Sequence, residues 1–238
     1  MSFSGGWYPV ALSNQLEPAT SAGTRLFDRE ICIWRDSDGG VHAWEDRCPH
    51  RGMRLSFGFV RGDRIACLYH GWQYDMQGRC RFIPAHPQLD VPSTIRVATY
   101  PCIDRLGMVW MCSDLKMEMP LDLPIDRRDI APVRSLYVDC APIATMQALS
   151  ARSECTVLAG GALISIHAGP QNMIAGFQPF GKGKTALHIV FLGSPEQYPG
   201  NARRSAAVWA EELRHDLERE PVPDTAPAGS YEAAPWRS

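Results

Sequence analysis

Short runs in which apolar and polar residues alternate fill the first half of the sequence and predict β-strands. Residues 24–35 and 41–44 are rich in β-forming side chains and are separated by an Asp-Ser-Asp-Gly-Gly turn, which predicts a hairpin. Gly, Pro and Asp punctuate the further short strands, which are predicted around residues 64–68, 72–74, 79–83, 95–100 and 108–112. The first 115 residues are therefore expected to form an all-β unit.

The second half of the chain mixes strand and helix patterns. Apolar runs predict strands at residues 135–139, 163–167, 172–177 and 185–192. From Asn201 onward apolar residues recur at helical spacing between charged ones, which predicts an amphipathic helix that ends before Pro221. These elements predict a reduced α+β domain made of an antiparallel sheet and a C-terminal helix.

Proline marks the expected boundaries between the domains. Pro120, Pro124 and Pro132 surround a segment rich in acids and bases, which predicts a linker or a surface excursion. After Pro221 the sequence mixes Pro, Ala, Gly and Ser, as a flexible tail does. We expect a mainly β domain over residues 1–120, an α+β domain over residues 121–220 and a tail over residues 221–238.

Composition narrows the class of protein. Apolar residues make up 45% of the chain and charged residues 21%, as in an ordinary globular protein. The formal net charge of −2 predicts no nucleic-acid partner. The sequence shows no signal peptide and no apolar run long enough for a membrane span, so a cytoplasmic protein is expected. In that compartment its eight cysteines indicate metal ligands and buried thiols rather than disulfides.

Two Cys and His pairs carry the candidate chemistry. Cys48 and His50 lie two positions apart, Cys67 and His70 lie three apart, and 16 residues separate the two pairs. A Rieske 2Fe-2S cluster takes two thiolates on one iron and two imidazoles on the other. This order and spacing predict that the four side chains bind such a cluster as its cofactor ligands and metal ligands.

A structural zinc site is the alternative, because two Cys and two His also suit tetrahedral zinc. Zinc fingers usually order their ligands Cys, Cys, His, His, whereas Cys and His alternate here, which favours the Rieske cluster. Gly52 and Gly71, close behind the two histidines, are expected at the tips of tight loops.

Residues 7–115 resemble the Rieske domain of the Rieske non-haem iron oxygenases. The matching residues are Trp7-Tyr8-Pro9-Val10, Cys48-Pro49-His50-Arg51-Gly52 and Cys67-Leu68-Tyr69-His70-Gly71-Trp72, followed by Gln73-Tyr74-Asp75. Respiratory Rieske proteins carry an extra cysteine in each ligand loop, and Met53 and Tyr69 stand in those places here. The resemblance implies the oxygenase branch, an oxidoreductase class and a comparatively low reduction potential.

The second half lacks a motif that the resemblance leads one to expect. Oxygenases of this family follow the Rieske domain with a catalytic domain that holds a mononuclear Fe(II) by two histidines and one carboxylate. After the cluster loops this chain has four histidines, no two of them close in sequence: His86, His167, His188 and His215. Only residues 139–161 separate two predicted strands where the iron-bearing insertion would lie, so a catalytic domain without mononuclear Fe(II) is expected.

Three functions follow from the resemblance. The preferred one is an electron-transfer component that relays electrons from a reductase or ferredoxin to the mononuclear iron of a full-length partner oxygenase subunit, within a trimer-like ring. The second is a self-sufficient monooxygenase or dioxygenase with an iron site remodelled from His167, His188 or His215 and a carboxylate such as Glu154 or Asp216. The third is a structural subunit of an oxygenase complex.

A glycine-rich stretch at residues 176–183 nearly spells a phosphate-binding loop. Gly183 stands where such a loop needs a Ser or Thr to bind magnesium, so a hairpin turn between two strands explains the glycines better.

Overall fold

The computed structural model describes residues 6–114, 123, 129–158, 161–168 and 171–219. These residues divide into two compact units, one formed by Val10–Met111 and the other by the residues from Cys112 onward together with residues 6–9. In the described part of the chain, no helix is long and apolar enough to cross a membrane. The predicted tail at residues 221–238 lies outside the described residues, as does most of the predicted linker.

The unit Val10–Met111 is built from short strands, as the alternating pattern predicted. Its strands, the first and last of which run slightly past its ends, are β1 (Trp7–Leu12), β2 (Thr20–Leu26), β3 (Arg29–Arg35), β4 (Val41–Glu45), β5 (Phe59–Arg61), β6 (Arg64–Ala66), β7 (Gln73–Asp75), β8 (Cys80–Phe82), β9 (Thr99–Tyr100), β10 (Cys102–Arg105) and β11 (Met108–Cys112). Two four-stranded antiparallel sheets have the orders β2-β3-β4-β9 and β5-β6-β7-β8, and a three-stranded sheet has the order β1-β11-β10.

The strand predicted over residues 24–35 is two strands. The chain reverses at Phe27 and Asp28, whose φ angles are +50° and +65°, so β2 pairs with β3 as a hairpin. High β-propensity on both sides of this turn hid it, since Phe27 is a bulky residue that rarely adopts positive φ and Asp28 alone is a weak turn signal. The next hairpin, between β3 and β4, lies where the Asp-Ser-Asp-Gly-Gly turn predicted it.

The second unit is a five-stranded antiparallel sheet with two helices. Its elements are β12 (Ile130–Val138), α1 (Pro142–Ala151), β13 (Cys155–Leu158), β14 (Leu163–Ala168), β15 (Gln171–Gly181), β16 (Lys184–Leu192) and α2 (Gly200–Arg219), and its strand order is β12-β16-β15-β14-β13. Buried residues of both helices join the apolar core formed with the sheet. The predicted fold class, a mainly β domain followed by an α+β domain with a C-terminal helix, is confirmed.

Three local features of the second unit refine the sequence prediction. Pro132 lies inside β12 rather than in a linker, at a register shift before Arg134 that accommodates its missing N–H. Helix α1 was not predicted, because apolar residues lie on most of its sides and leave a weak helical period. The glycine-rich stretch forms the hairpin of β15 and β16, with Gly183 at φ +78° in the turn.

Candidate iron–sulfur cluster site

Two loops of the unit Val10–Met111 repeat one backbone pattern around the predicted cysteines. The N–H of Cys48 and that of Cys67 each donate to the carbonyl five residues on, at 2.8 and 2.9 Å. The N–H of Gly52 and that of Gly71 each return to the carbonyl of the loop's cysteine, also at 2.8 and 2.9 Å. Both glycines have positive φ, +73° and +69°, a conformation that other residues adopt at a cost. Both loops are therefore tight tips that need glycine, as predicted.

The thiols and the imidazoles occupy different depths. Cys48 and Cys67 are 2% and 3% exposed and belong to the apolar core of the unit, whereas His50 is half-buried and His70 is exposed. The two imidazole centroids lie 4.7 Å apart. The loops thus present a pair of sulfurs inward and a pair of imidazoles outward.

Several donors and charges act on the sulfur of Cys67. Burial raises the pKa of this thiol, and the neighbouring Cys48 sulfur raises it further. The backbone N–H groups of Tyr69 and His70 point at the same sulfur and oppose that shift. Such N–H groups would stabilise a thiolate that binds iron, because they donate to the charged form.

Tyr74 on β7 lies against the other thiol. Its hydroxyl is 3.1 Å from the Cys48 sulfur, and its side chain is fully buried. Burial raises the pKa of Tyr74, and the hydrogen bond to Cys48 adds to the rise, so the phenol keeps its proton and can donate it to a thiolate. Sequence reasoning missed this contact, because Tyr74 was recognised only as part of the Gln73-Tyr74-Asp75 stretch that carries the resemblance.

Aromatic rings hold both imidazoles. Trp72 stacks on His50 at a centroid distance of 4.2 Å and an interplanar angle of 5°, and Tyr69 stacks on His70 at 3.8 Å. Burial, together with the charges of His70 and Arg51, lowers the pKa of His50. A neutral imidazole is the form that binds a metal, so the surroundings of His50 favour its role as a ligand.

The donor set fits a Rieske 2Fe-2S cluster, which asks for only two protein ligands on each iron. The buried thiols of Cys48 and Cys67 and the outward imidazoles of His50 and His70 would hold it, so that each loop supplies one thiol and one imidazole. In the described part of the chain, no three His, Cys, Asp or Glu side chains converge as ligands of one metal ion do. The assignment of the four ligands stays a prediction.

The second unit holds the histidines that a remodelled iron site would need. His188 on β16 is fully buried and both its ring nitrogens are engaged, with Gln178 Oε1 at 2.8 Å from Nε2 and Ser135 Oγ at 2.8 Å from Nδ1. His167 is exposed on β14, and its Nδ1 lies 3.1 Å from Asn172 Oδ1. His167 is the second-last residue of β14, and its register partner is Asn172, the second residue of β15.

The candidate carboxylates are held by an arginine. Arg152 donates to Glu154 at 2.8 Å and to Asp216 at 3.3 Å. The hydrogen bond from Arg152 lowers the pKa of Glu154. His215 lies on the exposed side of α2, and its neighbour Glu211 forms ion pairs with arginines instead. His86, in the first unit, is exposed.

Comparison with known proteins supports the N-terminal assignment. Residues 6–101 match the model of the Rieske [2Fe-2S] domain family. The oxidoreductase NdmD of Pseudomonas putida is 42% identical over 105 residues, which are 44% of this chain and 18% of that protein. The 4beta-methylsterol monooxygenase of Methylococcus capsulatus is 41% identical over 109 residues, which are 44% of this chain and 29% of that protein. The matched segment thus spans less than a third of either relative.

The likeness of fold extends further along the chain. The structure of NdmA from Pseudomonas putida CBB5 matches 94% of this chain and 83% of its own length, with a TM-score of 0.76 and 19% sequence identity. At this identity the likeness concerns the fold, and it includes the second unit as well as the domain that carries the two loops.

Proposed function

Since residues 6–101 match the Rieske [2Fe-2S] domain family, we propose that the chain is the Rieske 2Fe-2S electron-transfer component of an oxygenase system. In this role it relays electrons from a reductase or ferredoxin to a mononuclear iron on a full-length partner subunit. The names of two relatives, an oxidoreductase and a monooxygenase, support the proposal that this chain is an oxidoreductase component. The proposal includes the boundaries at residues 120 and 220, a trimer-like ring with the partner, and a cytoplasmic location.

The outward imidazole pair carries the proposal. His50 and His70 face away from the core while the thiols lie within it, so an electron can leave or enter through the rings that are nearest the surface. When bound, the cluster would accept and release one electron at a time. The protein's part is to hold the four ligands, to keep water from the sulfurs, and to donate hydrogen bonds to them from Tyr74 and the loop backbone.

The second unit supports the placement of the mononuclear iron on another subunit. The only fully buried histidine among the candidates has both nitrogens hydrogen-bonded within the sheet. The two candidate carboxylates, Glu154 and Asp216, are both paired with one arginine, Arg152. A metal would have to displace these partners before it could bind.

Counting iron tests the proposal. The purified chain, loaded with iron and sulfide, is expected to hold two irons and the visible spectrum of a Rieske cluster. Three irons per chain would instead favour a self-sufficient oxygenase with its own mononuclear iron. A cluster that is reduced by a chemical reductant but is never reoxidised by an oxygenase subunit would favour the structural-subunit alternative.

A further inference from the structure

The segment that carries both imidazoles is positively charged although the whole chain is not. Residues 47–72, which contain both ligand loops, carry five arginines and one aspartate, a net charge of +4, whereas the whole chain carries −2. Two of these arginines are paired with carboxylates, Arg54 with Glu30 and Arg64 with Asp63. Positive charge is therefore concentrated in the segment that presents His50 and His70.

The remaining arginines of this segment are free to meet a partner. Arg47, Arg51 and Arg61 are exposed, and no carboxylate of the described residues lies within salt-bridge range of them. Arg51 lies close enough to His50 for its charge to act on the ring. The Arg47 guanidinium lies over the tip of the first loop, where a Cβ on Gly52 would be 3.5 Å from its Nε.

Apolar side chains are exposed in the same segment. Leu68 and Tyr69, which directly precede His70, are 48% and 58% exposed, and Phe57 and Phe59 are 58% and 56% exposed. Phe59 lies on β5 opposite Ala66, just before the second loop. Exposed aromatic residues near a charged rim are typical of a protein interaction surface.

We propose that this surface, defined by Arg47, Arg51, Leu68 and Tyr69 and called here the arginine face, docks an acidic electron-donor protein. The inference rests on the proposed function and names the chemistry of its donor. An acidic donor would be steered to the face by charge and would bring its redox centre against the outward imidazoles.

The character of the face favours a donor over a permanent partner subunit. Electron-transfer encounters are brief and use small surfaces, whereas permanent subunit interfaces are large and more apolar. Here the exposed apolar residues are few, and the same segment carries arginines that have no carboxylate partner among the described residues. Such cations attract a partner quickly and let it leave again.

The test measures how fast the loaded full chain accepts electrons from a probe, a reduced acidic plant-type [2Fe-2S] ferredoxin, by freeze-quench electron paramagnetic resonance. The first variant combines Arg47→Glu with Arg51→Glu. The second variant is Arg61→Glu alone, and Arg61 lies on β5 outside the two loops. The matched control is Arg204→Glu, an exposed arginine on α2 in the other unit. Reduction by methyl viologen, a small cation, reports whether each variant keeps a competent cluster.

At low ionic strength the double variant should accept electrons from ferredoxin about ten-fold or more slowly than the wild type, because charge steering raises association rates by factors of that order. Arg61→Glu should slow the reaction less and Arg204→Glu should not change it. The differences should vanish at high salt.

The wild type and the double variant could accept electrons from ferredoxin at equal rates at low salt, with viologen reduction intact. This result would overturn the proposal that the arginine face docks the donor, and it would leave the proposed function in place. A wild-type chain that shows no Rieske resonance signal after viologen treatment would remove the proposed function, and the arginine face with it. The two failures are therefore distinguishable in one set of samples.

Discussion

The two loop cysteines, Cys48 and Cys67, are each expected to be essential for binding the cluster. Replacing Cys48 or Cys67 by Ser should abolish the visible absorption of the loaded chain, because a hydroxyl is a poor substitute for thiolate on iron. The absorption spectrum after reconstitution measures the loss. Cys102→Ser, the same change on β10 of the same unit, should keep the spectrum. Full absorption in both loop variants would refute the ligand assignment.

Tyr74 offers a finer change at the same site. Its hydroxyl can donate to the Cys48 sulfur at 3.1 Å, and this bond is stronger when the sulfur carries more charge, as it does after reduction. Tyr74→Phe should therefore lower the reduction potential by the difference between the hydrogen-bond energies of the two redox states. This difference is less than one whole bond of about 1 kcal/mol, and so less than roughly 40 mV for one electron.

Protein-film voltammetry would give the potential of the Tyr74→Phe chain. Tyr100→Phe removes another buried hydroxyl of the same unit and should leave the potential nearly unchanged. A Tyr74→Phe potential equal to that of the wild type would show that the hydroxyl does not act on the sulfur.

At the scale of elements, two glycines in turns of one sheet form a matched pair. Gly62 joins β5 to β6 at φ +60° with open space around it, whereas a Cβ on Gly78, between β7 and β8 at φ +75°, would lie 2.5 Å from the Val97 carbonyl oxygen. Gly62→Ala should cost about 1 kcal/mol through backbone strain alone. Gly78→Ala should cost about 3 kcal/mol or more, because backbone must move as well.

Urea denaturation of the two glycine variants measures both free energies of unfolding. The comparison separates left-handed strain, which both variants share, from the steric clash that only Gly78→Ala meets. Equal losses in the two variants would contradict the close approach of Gly78 to Val97.

The sheet of the second unit carries a pH dependence in His188. Burial lowers the pKa of His188 to about 3, and with Gln178 Oε1 as acceptor its Nε2 carries the proton while Nδ1 accepts from Ser135. The unfolded chain binds a proton below about pH 6.5 and the folded chain does not until about pH 3. Stability should therefore be lost as the pH falls through that window, by about 2 kcal/mol between pH 7 and pH 5.

Thermal or urea unfolding at several pH values tests this dependence. His188→Gln should be less stable at pH 7, since it loses packing and hydrogen bonds, but should lose less stability than the wild type as the pH falls. A variant with the same slope as the wild type would show that another group titrates in this range.

For the whole molecule, the central expectation concerns catalysis. The loaded chain with a reductase, NADH and added Fe(II) should show no oxygen uptake coupled to product, because oxygen activation in this family needs open positions on a mononuclear Fe(II). Adding an oxygenase subunit that carries the two-His, one-carboxylate triad should restore coupled uptake. An oxygen electrode with product analysis makes the measurement, and coupled product from the chain alone would promote the self-sufficient alternative.

Much of the molecule could be predicted where the signal is local. The ligand candidates Cys48, His50, Cys67 and His70 were recognisable because each pair lies within one loop, and glycine at each tip was required by a local backbone conformation. Helix α2 and the β15–β16 hairpin followed from helical spacing and from glycines between two apolar runs. Helix α1 and the β2–β3 turn were missed because their local patterns are ambiguous.

The sequence by itself therefore determined the Rieske domain match, the fold class and which four side chains are candidate ligands, since these depend on patterns within short stretches of the chain. Only the tertiary structure decided which distant groups meet: Tyr74 reaches Cys48 across 26 positions, and Arg152 reaches Asp216 across 64. Such contacts arise when sheets and helices bury their apolar faces, and many pairings satisfy the same local pattern. Packing selects one of them, and with it the depth of the thiols, the exposure of the imidazoles and the charge around them.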